Sequence, residues 1–379
     1  MPQRSFASRL TVAFAFLLSA NLLLAQATQN SSWTLGPFTR PVTAPIITPN
    51  PAAVFTDPIT RKPVHWEALH TFNPAAIARQ GKIYILYRAE DDSGSMAIGM
   101  HTSRLGLASS DDGLHFTTQP APVFYPNLDA QQDKEWPGGV EAPRLVEREA
   151  GTYVLTYTQW NRRHTDIGIA TSTDLIHWEK QGPALQGETY RHFDYKSASI
   201  VTRLTHGRLI ATKIEGKYWM YWGEIQVRLA TSRDLIHWTP VEKSPGKPIV
   251  LLEHRRGHFD SAFPEVGPPA LLTDRGIILI YNGKNAAVSK KAAGAGAPGI
   301  AAGAYSDGQA LFAANDPRKL IARTGQPFFK PEQSWEQSGQ YVAGTTFAEG
   351  LVFFHDKWFL YYGGADSRVG VAVFDPKKP

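Results

Sequence analysis

Three stretches of this chain align with one another without a gap: GLASSDDGLHF at 106–116, GIATSTDLIHW at 168–178 and RLATSRDLIHW at 228–238. They recur about every sixty residues, and strand-like repeats of that period build propeller blades or solenoid turns. In each copy an alternating apolar strand runs into a turn at Asp112, Asp174 or Asp234, where a short side chain can bond its own backbone. An aromatic residue then opens the next strand, so each copy reads as an outer hairpin.

Ahead of each hairpin lies another strand pair: AAIARQGKIYILYRAE at 75–90, PRLVEREAGTYVLTYTQW at 143–160, and ASIVTRLTHGRLIATKI followed by KYWMYWGE. Gly81, Gly151 and Gly207 turn these pairs. PPALLTDRGIILIYNGKN at 268–285 and FAEGLVFFHDKWFLYYGGADSRVGVAVF at 347–374 repeat the pattern with weaker outer hairpins. Five units of four strands predict an all-β chain, a five-bladed β-propeller, since radial closure leaves only short protected sheet edges. Helical periodicity is nearly absent, which speaks against an α/β fold. The Ala- and Gly-rich segment 286–308 reads either as a surface excursion or as a loop over the mouth of a site.

The N-terminus carries Arg4 and Arg9, an apolar run from Leu10 to Leu24, then Ala25, Gln26 and Ala27. That is the layout of a secretory signal peptide over residues 1–27, with 28–379 as one propeller domain. The run is too short for a membrane span and no later stretch of about 18 apolar residues follows it. With no cysteine there are no disulfides, so the sequence predicts a secreted or periplasmic protein held by its core alone. A net charge of +5 with scattered basic residues carries no nucleic-acid footprint.

A propeller gathers the first strand of every blade around one axis, so polar residues near those strand starts converge on a funnel. They are Asn73, Glu141, Arg144, Asp194, Lys196, Asp260 and Glu265, with Thr345 and Thr346; Arg88, Glu90, Trp222 and Glu224 lie around them. Carboxylates, Arg, Lys and aromatics about one axis suit glycoside cleavage. One carboxyl protonates the leaving oxygen and another activates water, with about 6.5–9.5 Å between them in inverting enzymes. Aromatic faces stack on sugar rings. Glu141 and Glu265 each adjoin a proline-broken strand and are the first catalytic candidates; the alternative is a buried carboxylate paired with Arg144 or another base. His115, His177 and His237 sit at equivalent outer-hairpin positions on three blades, too far apart to share a metal ion. His192, His254 and His258 lie near the expected funnel. Neither metal nor cofactor is called for, and the partner is an oligosaccharide.

Together, FNPAA, LYRAED, SRLGLASSDDGLHF, GGVEAPRLVE, YVLTYT, IATSTDLIHWEKQGP, EVGPPALLTDRGIILIY and LYYGGADSRVGVA follow one family's order, and the chain resembles glycoside hydrolase family 130 over nearly all of 28–379. The resemblance implies a five-bladed propeller that phosphorolyses or hydrolyses β-mannosides. The family reads Glu-Asp-Pro-Arg, with the aspartate as proton donor, where this chain has Glu141, Ala142, Pro143 and Arg144. Three outcomes stay open there: Glu141, Asp129 or Asp133 takes over, the chemistry differs, or the protein binds without cleaving. Phosphorylase members also hold phosphate with a His and Arg pair where this chain has Trp222, Gly223 and Glu224. A carboxylate there repels a phosphate dianion. The resemblance therefore implies a hydrolase, probing water with Glu224 and Glu265 on the base side and Glu141 as acid. Arg88, Arg144 and Lys196 would orient hydroxyls, and Asn73, Asp194 and Asp260 would hold the sugar.

Overall fold

The strand-forming segments are rich in β-branched and aromatic residues at alternating positions, which pack well on a pleated surface, and they fold as the repeats predict. The structure is a computed structural model and describes residues 33–149, 151–185, 187, 189–190, 193–286 and 295–378. The expected signal peptide, His192 and residues 287–294 of the 286–308 segment lie outside the described residues. Contacts group Gly36–Pro379 as one unit, with the few described residues before it in another.

The chain forms a five-bladed β-propeller. Blade 1 runs His70–Arg79, Lys82–Glu90, Ser103–Ser110 and Thr117–Thr118; blade 2 runs Gly139–Arg148, Thr152–Trp160, Thr165–Ser172 and Glu179–Pro183. In blade 3 the inner strand Ala198–Thr205 pairs with Arg208–Ala211 at one end and Lys217–Trp222 at the other, followed by Arg228–Ser232 and Trp238–Pro240. Blade 4 has its inner strand split into Phe263–Val266 and Ala270–Thr273 by Gly267, Pro268 and Pro269, since proline cannot donate to a ladder. Gly276–Lys284, Tyr305–Ala313 and Asp316–Arg323 complete it. Blade 5 comprises Thr346–Phe354, Lys357–Gly364 and Arg368–Phe374, and the N-terminal segment supplies its outer edge through bridges Thr39 to Val373 and Ile47 to Val369. Pairing the chain's beginning with its last blade closes the ring without an open edge. Among the described residues, no helix is long and apolar enough to cross a membrane.

The outer hairpins repeat their turn chemistry atom for atom. Asp112, Asp174 and Asp234 each accept two backbone N–H groups and hold Nδ1 of His115, His177 and His237 at 2.7, 2.7 and 2.8 Å. The three histidines thus serve their own turns. A second repeat is absent from the sequence reading: in four blades a second-strand tyrosine faces a third-strand glycine, as Tyr87–Gly106, Tyr157–Gly168, Tyr281–Gly308 and Tyr362–Gly370. A Cβ on Gly106 would lie 2.4 Å from the Tyr87 ring, so only glycine admits it. Each tyrosine hydroxyl donates to a buried carboxylate from the segment that precedes its blade: Glu67, Glu135, Asp260 and Glu336.

Four apolar clusters fill the junctions of blades 1 with 2, 2 with 3, 3 with 4, and 5 with 1. The 4–5 junction differs: Asn282 and Asp307 accept from the Ala348 N–H, and Tyr305 packs edge-on against Phe347.

Candidate functional site

The inner-strand ladder slips at one height in blades 1, 2 and 5, between Phe72 and Ala75, Glu141 and Arg144, and Ala348 and Gly350. Such bulges re-aim side chains and recur beside functional sites. Asn73 (φ 47°) and Ala142 (φ 43°) take left-handed backbone at two of these slips, and Ser197 (φ 63°) does so at the start of blade 3. Asn and Asp tolerate that region, while alanine there costs on the order of 1 kcal/mol.

Two ion-paired groups face one another there. In the first, Arg88 Nη2 lies 2.7 Å from Glu141 Oε1 and 2.5 Å from Glu90 Oε1. Arg88 Nε donates to Ser103 Oγ at 2.9 Å, and the guanidinium rests on the Phe72 ring. In the second, Lys196 Nζ lies 3.5 Å from Glu224 Oε1 and 3.7 Å from Glu265 Oε1, and Glu224 and Glu265 are bridge partners across blades 3 and 4. Ser197 Oγ donates to Glu265 Oε1. Burial pushes the Glu265 carboxyl up, with Lys196 opposing and Glu224 adding to the rise. Burial likewise raises Glu141, with Arg88 opposing and Glu90 adding. For Lys196, burial pulls downward, but Glu265, Glu224 and Glu141 outweigh it and hold the ammonium above its usual range. Arg88, Glu141, Lys196, Glu224 and Glu265 therefore share one electrostatic environment.

Arg144 belongs to the same axis but does not reach into the funnel. Buried, it donates to the carbonyls of Val266, Gly267 and Ala142 and lies 2.8 Å from Glu349. It clamps the backbone just after Glu265 and so sets that carboxylate's position. Asn73 is buried at its bulge beside Gly363.

Three predicted sugar contacts are corrected. Asp260 is the blade 4 member of the tyrosine–carboxylate repeat, held by Arg255 at 2.7 Å, Arg323 at 2.6 Å and Tyr281 at 2.8 Å, and it is wholly buried. Asp194 has a side chain 69% exposed, pairs with His164 at 2.7 Å and caps the Thr165 N–H. Trp222 is buried in the core between blades 2 and 3, edge-on to Tyr195 and under Arg228, with no ring face left for a sugar. Of the alternative acids, Asp129 pairs with Lys180 at 3.0 Å and Asp133 lies exposed on the short helix Gln132–Glu135, so neither joins the axial set. His254 and His258 make no bond to the funnel groups among the described residues.

Further residues surround these groups. Asp366, with left-handed backbone (φ 49°), is held by burial at about 7 despite Arg88 and Lys196. Glu349 lies wholly buried beneath, raised by burial to about 8 despite Arg144. Gln340 donates to Glu90 Oε2 at 3.1 Å, and Tyr341 and Tyr305 line the blade 4–5 side. Asp366 stands in the GGADSR stretch after a strand, a position that a blade-by-blade reading could have marked; Glu349 replaces the proline of the other bulges and leaves no such trace.

A propeller whose axis carries carboxyls on both sides of a paired guanidinium and ammonium is built to handle polyhydroxylated substrates, and it belongs with carbohydrate-active enzymes. The family described as β-1,4-mannooligosaccharide phosphorylases matches residues 40–378, and the chain belongs to this mannoside-active glycoside hydrolase family 130. It is 33% identical over 316 residues to a 1,2-β-oligomannan phosphorylase of Thermoanaerobacter sp. (strain X514), covering 82% of this chain and 92% of that protein. A solved glycosyl hydrolase from Bacteroides ovatus is 48% identical with a TM-score of 0.87, covering 92% of this chain and 96% of that one. Another solved structure, 50% identical with a TM-score of 0.88 over 92% of this chain and 96% of that one, comes with the statement that this family of mannoside phosphorylases contains glycoside hydrolases targeting β-1,2 mannosidic linkages in Candida mannan.

Proposed function

We propose that the chain is an exported β-mannoside hydrolase, acting on β-1,2 linkages with water as the nucleophile. The observation that carries this reading is the placing of Lys196 between Glu224 and Glu265. A phosphate dianion entering that side would meet two carboxylates against one ammonium, a net repulsion, whereas a water there meets acceptors for its protons. The relatives named above supply the mannoside and its 1,2 linkage as the substrate class.

In the reaction, Glu224 or Glu265 takes a proton from water as its oxygen bonds to the anomeric carbon. The glycosidic C–O bond breaks, and Glu141 delivers a proton to the departing oxygen, the role that Ala142 cannot fill. Burial holds the Glu141 carboxyl above its ordinary range, with Arg88 opposing. Attack and departure on opposite faces invert the anomeric centre. Export rests on the charged, apolar and small-residue succession of residues 1–27.

Purified protein incubated with β-1,2-mannobiose, with and without inorganic phosphate, tests the reaction. Free mannose formed at equal rates in both supports hydrolysis; phosphate-dependent mannose 1-phosphate overturns it in favour of phosphorolysis, and saturable binding without product overturns catalysis. N-terminal sequencing of the protein from the cell envelope or medium tests export, with Thr28 as the expected first residue.

A further inference from the structure

The blade 4 ladder carries an arrangement that the chemistry above does not use. Glu265, Asn282 and Asp307 lie opposite one another across its first three strands; two residues nearer the strand ends at the mouth, Phe263, Lys284 and Tyr305 do the same. The outer row therefore stands about 7 Å from the inner, given about 3.3 Å per strand residue. Lys284 Nζ sits among three rings, 5.4 Å from the centre of Phe263, 4.9 Å from Tyr305 and 5.3 Å from Tyr341. Tyr341 stacks edge-on against Tyr305, and Tyr305 against Phe263.

The three rings hold the ammonium in place through their faces. Among the described residues Lys284 has no ion-pair or side-chain hydrogen-bond partner. Its N–H groups are thus left for a ligand or water. Lys284, Phe263 and Tyr341 are half-buried, so the cage opens toward solvent. It also adjoins the chemistry: Tyr341 and Tyr305 both feel the charges of Glu265, Glu224 and Asp366. Its place at the blade 4–5 junction, where polar contacts stand in for an apolar cluster, leaves room for polar recognition.

We propose that Lys284, walled by Phe263, Tyr305 and Tyr341, is the subsite for the sugar on the leaving-group side of the scissile bond, and that it selects oligosaccharides over simple glycosides. The inference rests on the mannosidase reading. A terminal sugar among the axial carboxylates leaves its neighbour one residue outward, at the height of the Lys284 row, where the ammonium donates to hydroxyls and the rings pack on the sugar's apolar face.

The test compares kcat/KM for β-1,2-mannobiose with that for 4-nitrophenyl β-mannoside, whose flat leaving group offers no hydroxyls to Lys284. In Lys284→Met the mannobiose-to-aryl ratio is expected to fall at least tenfold, chiefly through a higher KM, and Lys284→Arg is expected to restore part of it. A ratio within twofold of the wild type in both Lys284→Met and Tyr341→Leu overturns the assignment; the second variant covers misfolding of the first. Because the ratio is defined whichever nucleophile reacts, phosphate dependence of the wild type sinks the hydrolase reading without deciding the subsite.

Discussion

Glu349 offers a sharp test of how the axis is built, because its carboxyl is wholly buried yet lies 2.8 Å from Arg144. Burial outweighs that guanidinium and holds Glu349 at about 8, against an ordinary value near 4.5. A carboxyl whose folded pKa is raised contributes stability at low pH that is lost as pH rises from its unfolded value through its folded one. Between pH 5 and pH 9 the unfolded chain gains about 5 kcal/mol from ionising this group and the folded chain about 1.4, so the folded state loses about 4 kcal/mol. Glu349→Gln keeps the shape and removes the titration. Its stability at pH 5 is expected within about 1.5 kcal/mol of the wild type, because Arg144 retains three backbone carbonyls. Its urea-unfolding free energy should then fall with pH by about 4 kcal/mol less than the wild type's across that span. Parallel pH profiles, with the variant weaker throughout, refute the argument and show Glu349 ionised and paired with Arg144.

Glu265→Gln should retain the fold and lose about 10²–10⁴ in kcat/KM on mannobiose, the range of a lost general base; a loss under threefold removes Glu265 from the chemistry. Asp260→Asn strips the shared anion from Arg255 and Arg323 and should cost about 3–5 kcal/mol in urea unfolding, while kcat of the folded enzyme stays within twofold; a selective rise in KM returns Asp260 to the sugar site. Asp194→Ala removes an exposed pair and should shift stability by under about 1 kcal/mol with kcat/KM within twofold; a tenfold loss returns Asp194 to the sugar site.

The carboxylates and cations of the site were legible where strand starts could be counted. Glu141, Lys196 and Glu265 each stand near the opening of an inner strand, and the radial geometry of a propeller brings such positions together. Asp260 met the same criterion and failed, because the count cannot distinguish a residue on the inner strand from one in the loop before it. That loop feeds the Tyr281 hydroxyl and two guanidiniums, a repeat visible only once Tyr87, Tyr157, Tyr281 and Tyr362 are seen facing glycines across the ladder. Trp222 misled for a related reason: blade 3 has an interrupted second strand, and its side chain turns into the core.

The sequence by itself determined the architecture, since local turn chemistry and strand alternation repeat over five four-stranded units, which a closed ring of blades accommodates without open edges. It also set the charge character of the axis, because Glu, Lys and Arg at strand openings converge in any such ring. Tertiary structure alone decided which of those groups ionise against which, since pairing of Arg88 with Glu141, of Lys196 with Glu224 and Glu265, and the burial that raises Glu349 and Asp366 depend on distances between blades far apart in the chain. Coulomb and desolvation energies vary steeply over a few ångströms, and no local pattern encodes separations that small between blades.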